Sequence, residues 1–250
     1  MEAWIALFLP MALLLMRVAG FFLVLPIFGS PAISVRVRVG AALSVTVFFG
    51  LILPAPANLG HVRSVSAILL MTRELLCGLG LGLAASLVFR SVQVGARFAE
   101  RQMGFAIASV LDPSTGEQAA AISMLFERAF LMLFLVAGGH HLLLLAIGRS
   151  FEAFPIGAAP DASLLVRGLI LSGTAMLNFA MRLAAPVIAA FVVLSVILGV
   201  LARVLPEMNV LLVSFPLRVG LGLFMAAALM PVMNDLTIEL ADWLSRFMVT

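Results

Sequence analysis

Apolar residues fall along this chain in long blocks, not in the short alternations that mark the strands of a lipid barrel. Six blocks reach or approach the roughly 20 residues that a membrane-spanning helix needs. The first covers residues 3–28 and carries Arg17. The second covers 37–53 and ends at Pro54-Ala55-Pro56. The third covers 65–88, is interrupted by Arg73-Glu74, and continues in polar form to about Gln102. The fourth covers 122–147. The fifth, 164–201, is too long for one simple span, and a break is expected at Pro186. The sixth covers 210–233, and a short amphipathic tail follows at 236–247. Backbone polar groups in hydrocarbon must be satisfied within their own segment, so the pattern predicts an all-α integral membrane protein. The apolar run begins directly after Met1-Glu2 with no basic leader, so a retained first helix is expected rather than a signal peptide.

The blocks are not clean. Arg17, Arg73, Glu74, Glu127, Arg128, Asn178, Arg182 and Arg218 lie in or beside them, and Pro10, Pro26, Pro186, Pro216 and Pro231 predict kinks. Charge facing lipid is costly, so these groups are expected to face protein or water. Kinked helices with internal charge suit a subunit of a larger assembly better than a free-standing bundle. Alternate loops place Arg36, Arg38, Arg90, Arg97, Arg101 and Arg203 on one side and Arg63, Arg149, Arg167 and Arg246 on the other. This small excess leans toward the first group being cytoplasmic. No internal repeat is evident, nor the matching broken helices that flag many secondary transporters.

Composition agrees. Of the 250 residues, 64% are hydrophobic and 11% charged, against about 45–50% and about 25% in soluble domains. A globule of this size cannot hide that much apolar surface. All 15 basic residues are Arg, and 12 acids leave a formal charge of +3. The arginines are scattered singly, so no phosphate-binding patch forms and no nucleic-acid partner is expected. Arg in place of Lys fits planar pairing at low dielectric; an Arg-favouring codon bias accounts for it equally well. The single cysteine, Cys77, excludes a disulfide framework and reads as a small core residue.

Within the third block, Arg90, Gln93, Arg97, Glu100, Arg101 and Gly104 share one arc of a helix. Two readings of this polar stripe stand side by side: a face toward charged neighbours or a water-filled passage, which is preferred, and an amphipathic helix lying at the membrane surface. Gly78, Gly82 and Ser86 repeat at spacing four, which lets another backbone approach closely. The longest break between helices follows. It reads Phe105-Ala106-Ile107-Ala108-Ser109-Val110-Leu111, then the turn signal Asp112-Pro113-Ser114-Thr115-Gly116 with Glu117-Gln118. An apolar loop of this kind sits at membrane depth only when buried in protein or lining a cavity. His140 and His141, being adjacent, point in different directions on a helix and chelate one metal poorly. They are expected to be interface-forming residues. No nucleophile elbow, P-loop or dinucleotide-binding glycine pattern appears, so neither an enzyme nor a cofactor is expected.

An ordered set of strings now coincides: Arg17 with Pro26, residues 95–104, Asp112-Pro113, Gly139-His140-His141, and Ser150-Phe151-Glu152-Ala153-Phe154-Pro155-Ile156-Gly157. Leu198-Gly199, Arg203, Pro206-Glu207-Met208-Asn209 and Phe215-Pro216-Leu217 follow. In this order they resemble the FliR/SctT family of type III secretion export-gate subunits, over essentially the whole chain. One departure is Glu207, where the family often has Gln. The resemblance implies about six long, kinked helices arranged as hairpins. It implies a FliP-like part over residues 1–160 and a FliQ-like part over 161–250. It further implies assembly with FliP-like and FliQ-like subunits, association of an FlhB-like protein, and a plug loop matching 105–118. Unfolded flagellar proteins would be the substrate, and the place would be the flagellar basal body in the bacterial inner membrane. Arg17, Arg73, Glu74, Glu127, Arg128, His140, His141, Arg182, Arg203, Glu207, Asn209 and Arg218 are then candidate interface residues, beside the stripe Arg90, Gln93, Arg97, Glu100 and Arg101. The alternatives are a stand-alone multi-pass transporter or membrane enzyme, and the virulence injectisome counterpart of the same gate; the Gly-His-His string leans flagellar.

Overall fold

The computed structural model describes residues 2–25, 28, 33–53, 64–103, 121–157, 162–205, 207, 210–235 and 238–239. Among them the regular structure is helical throughout. The helices in chain order are α1 (Glu2–Val24), α2 (Val35–Ile52), α3 (Ser64–Gln102), α4 (Ala121–Val136), α5 (Gly139–Ala153), α6 (Ala162–Val204) and α7 (Val210–Ala228). A further helical turn at 230–235 follows α7.

Three points of continuity are decided by the structure. First, α3 runs unbroken for 39 residues, so Arg73-Glu74 interrupts the apolar run but not the helix. Glu74 is turned inward and satisfied by protein, so no water-exposed break is needed. Second, Pro186 does not break the fifth block, and α6 is continuous over 43 residues. A helix-interior proline costs about 3 kcal/mol; here Leu183, Ala184 and Val187 are buried beside it and offset that cost. Third, the fourth block is two helices. The chain turns at Gly138, whose φ of 77° lies in the left-handed region that glycine enters freely. The Gly138 N–H is donated back to the Leu135 carbonyl at 3.1 Å, closing the end of α4.

The chain forms two compact units. One comprises Met1–Leu87, Gly139–Gly173 and Ala241–Thr250; the other comprises Val88–Gly138 and Thr174–Leu240. In the first unit, α1 buries Leu9, Leu13, Leu14, Val18, Phe21 and Phe22, and Leu25 just after it is buried too. Their spacing of three and four places them on one helical face. That face packs on α2 and α3. The approach to α3 is close because small residues line it. A Cβ on Gly20 would lie 2.7 Å from the Leu75 carbonyl oxygen, and one on Gly82 would lie 2.7 Å from that of Phe21. One on Gly78 would fall on the Arg17 carbonyl. The small-residue spacing read from sequence is thus a backbone-to-backbone seam. Cys77 is buried beside it, as a small core residue. On the other side, Phe49 of α2 meets Phe151 of α5 with ring centroids 5.6 Å apart.

In the second unit, α4 contributes Phe126, Phe130 and Phe134 at spacing four, all buried. Phe89 of α3 packs edge-on against Phe130 and Phe134, at 5.8 and 4.7 Å. Gly95 of α3 admits the α6 backbone, since a Cβ there would lie 2.9 Å from the Ala180 carbonyl oxygen.

Among the described residues, three helices are long and apolar enough to cross a membrane: Val35–Ile52, Ser66–Gln102 and Leu165–Val204. The pair α4 and α5 would make a fourth if it forms one broken span. The rest of the chain covers little of two of them. Only 17% of the α2 window and 28% of the α6 window are buried. Val37, Val47, Phe48, Leu51 and Ile52 of α2, and Val192, Val193, Val196, Ile197 and Val200 of α6, are exposed. That much contiguous apolar surface is stable only against lipid or another protein.

Candidate functional site

The most organised polar cluster lies in the first unit. Arg17 on α1 is buried to 2% exposure, and its Nε and Nη1 both find partners. Its Nε donates to Oε2 of Glu74 on α3 at 2.6 Å, and Glu74 is itself 3% exposed. Nη1 donates to the carbonyl oxygens of Ser150 at 2.9 Å and Phe154 at 2.8 Å, where α5 ends. The guanidinium carbon sits 4.5 Å from the centroid of the Phe151 ring. The second carboxylate oxygen of Glu74, Oε1, accepts the N–H of Gly157 at 3.0 Å. Burial of either charge alone would be expensive. Here each is answered by its partner and by backbone. The cation also stands where the α5 dipole is negative.

Weaker polar ties lie among the described residues of the second unit. Gln93 of α3 donates its amide to Oε2 of Glu127 on α4 at 3.2 Å. Arg218 of α7 donates to the Gln102 carbonyl at 3.0 Å, capping the end of α3, and reaches Ser195 Oγ at 3.4 Å. Arg182 of α6 donates from Nη1 to both carboxylate oxygens of Glu239 at 2.8 Å. That last pair is solvent-exposed, at 61% and 47%, so it contributes little.

The stripe residues are placed unevenly. Arg90, Arg97 and Arg101 are exposed, Gln93 is half-buried toward α4, and Glu100 is buried. Of the other candidates, Arg73 and Glu127 are half-buried. Arg128, His140, His141, Arg203 and Glu207 are exposed. The two histidine rings lie 4.2 Å apart at the start of α5. No cluster of three or more metal-ligating side chains occurs among the described residues. Asn209 and the whole loop 105–118 lie outside the described residues. Sequence reasoning picked out Arg17 and Glu74 separately but missed their meeting. It also missed the backbone partners Ser150, Phe154 and Gly157, whose only signal was the string 150–157 among those that carry the family resemblance.

Comparison with known proteins places this architecture. A sequence profile described as "Bacterial export proteins, family 1" matches residues 8–242. The chain is 33% identical to the flagellar biosynthetic protein FliR of Bacillus subtilis (strain 168), over 93% of this chain and 90% of that protein. It is 29% identical to FliR of Escherichia coli (strain K12), over 87% and 83%. It is 28% identical to the surface presentation of antigens protein SpaR of Shigella sonnei, over 83% and 80%. A profile match over residues 8–242, with relatives aligned over most of both chains, means that the chain belongs to bacterial export proteins, family 1, the FliR/SctT family.

Proposed function

We propose that this chain is a structural subunit of the flagellar type III protein export gate, assembling with FliP-like and FliQ-like subunits around a channel for unfolded flagellar proteins. Its family makes it a membrane-embedded component of a type III export apparatus. The finer role rests chiefly on one observation: α2 and α6 leave most of their apolar surface uncovered by the chain itself. Such surface suits a subunit completed by neighbours. In this reading, residues 1–160 take the FliP-like place and 161–250 the FliQ-like place. Arg90, Arg97 and Arg101, exposed along α3, meet partner subunits or the channel lumen. The loop 105–118 plugs the closed channel, an FlhB-like protein docks on the assembly, and the site is the inner membrane at the flagellar basal body. The role is structural, with energy for export supplied elsewhere.

Deleting the gene is expected to abolish flagella and swimming; flagellated cells would reject this role. Mild-detergent purification is expected to bring FliP-like and FliQ-like proteins along. A stable, partner-free chain would favour a stand-alone transporter instead. Shortening the loop 105–118 is expected to make the membrane leaky to ions while the complex still assembles; an unchanged leak would remove the plug assignment. The similarity to SpaR keeps the injectisome counterpart as the second reading, decided by which secretion system fails in the deletion strain.

A further inference from the structure

The export resemblance took Arg17 and Glu74 as candidate interface residues, yet the two are paired with each other and buried within the first unit. Two charges at 2% and 3% exposure are an expensive choice in a chain that is 64% hydrophobic. Apolar residues of similar volume would fill the same space at equal or lower free energy, so stability alone gives no reason to keep them. What they do, and apolar residues could not, is hold backbone. The Ser150 carbonyl already accepts the Phe154 N–H at 2.9 Å as α5 ends, and it takes Arg17 as a second donor. The Phe154 carbonyl accepts from Arg17, and the Gly157 N–H is received by Glu74. Gly157 itself has φ 82°, in the left-handed region that glycine enters freely. Between these bonds Ile156 packs on the buried pair Leu9 and Leu13 of α1.

We infer that Arg17 and Glu74 are positioning residues that clamp the turn 154–157 onto α1 and α3, gripping its backbone from both ends. Charge is retained at this depth because the guanidinium fork offers several fixed donors and the carboxylate two acceptor oxygens, so that the two reach each other and three backbone groups. The fork is needed on the cationic side. A lysine offers one compact ammonium on a flexible stem and cannot span Glu74 and two carbonyls in fixed geometry. The glycine seam serves the same end, since Gly78 lets the Arg17 backbone come close enough to α3 for the 2.6 Å bond.

The test uses the full-length chain in its own host membrane. Cys77→Ala removes the native thiol, and Ile156→Cys places a probe in the turn. The rate of labelling by a soluble maleimide then reports how well the turn is seated. Arg17→Met combined with Glu74→Leu removes both charges at once. This double variant is expected to accumulate within about twofold of the parent. Its probe is expected to label about tenfold faster, the factor for losing a charge-assisted hydrogen bond. Parental labelling in an accumulating double variant would overturn the proposal, because the turn would then stay seated without either charge. Arg17→Lys covers the case in which the double variant does not accumulate. It keeps the charge opposite Glu74 but loses the fork, and is expected to label faster than the parent; parental protection there would overturn the proposal equally. Turn exposure is measured without reference to export, so swimming of the same strains tests the export role separately.

Discussion

Gly82→Ala is expected to destabilise the first unit by prising α1 from α3. The added Cβ would sit 2.7 Å from the Phe21 carbonyl oxygen and 3.1 Å from the Phe21 Cα. Carbon and oxygen are comfortable at about 3.3–3.6 Å, so the two helices must part by half an ångström or more. A gap of about 0.5–1 Å forfeits a quarter to a half of each dispersion contact along the seam. Both atoms met are backbone, and a helix backbone yields less readily than a side chain. Overpacking of this kind costs about 1–3 kcal/mol, and the helix propensity gained by alanine returns about 0.5–1 kcal/mol. The net expectation is a loss of about 1–2 kcal/mol, or a few degrees in Tm for a chain of this size. Gly78→Ala should cost more, because its Cβ would fall on the Arg17 carbonyl and displace the residue that makes the buried ion pair. The same substitution elsewhere supplies an internal control. At Gly173, Gly199 and Gly220 a Cβ meets nothing within 4 Å, so alanine there should stabilise. Thermal unfolding of the purified protein in mild detergent measures all five. A Gly82→Ala variant as stable as Gly220→Ala would refute the close-seam argument.

Phe134→Ala removes the ring that Phe89 packs against at 4.7 Å in a buried site, and should cost about 3–5 kcal/mol in the same assay. Arg182→Ala breaks an exposed pair and should cost at most about 1 kcal/mol, with the difference shrinking as salt is raised. Phe48→Ala with Leu51→Ala alters side chains that are 58% and 79% exposed, so stability of the chain itself should move by under about 0.5 kcal/mol per site. Co-purification of partner subunits should nevertheless fall. Unchanged recovery of partners would mean that this face of α2 meets lipid.

Read alone, the sequence determined the class of this protein and most of its helices. Long apolar blocks force helical spans, because a bilayer offers backbone groups no other partners. It also indicated the small-residue seam, since Gly78 and Gly82 at spacing four have a direct geometric meaning on a helix. The breaks were less legible. Gly138 ends α4 through a positive φ inside a block read as continuous, whereas Pro186, a nominal breaker, sits inside an unbroken α6. Local propensity is a few kcal/mol at most, and packing of the flanking residues outweighs it.

The polar core was decided by tertiary structure. Arg17 and Glu74 are 57 residues apart, and Arg17 and Ser150 are 133 apart. Periodicity tells which face of a helix is apolar; it does not tell which helix will cover that face or which buried charges will meet. Both residues were conspicuous in sequence as charges in apolar runs. Only the approach of α1 to α3, allowed by glycine, brought the guanidinium and the carboxylate to 2.6 Å and left their remaining atoms facing the end of α5. Electrostatics at low dielectric then made that meeting specific, because neither charge can be buried there without the other.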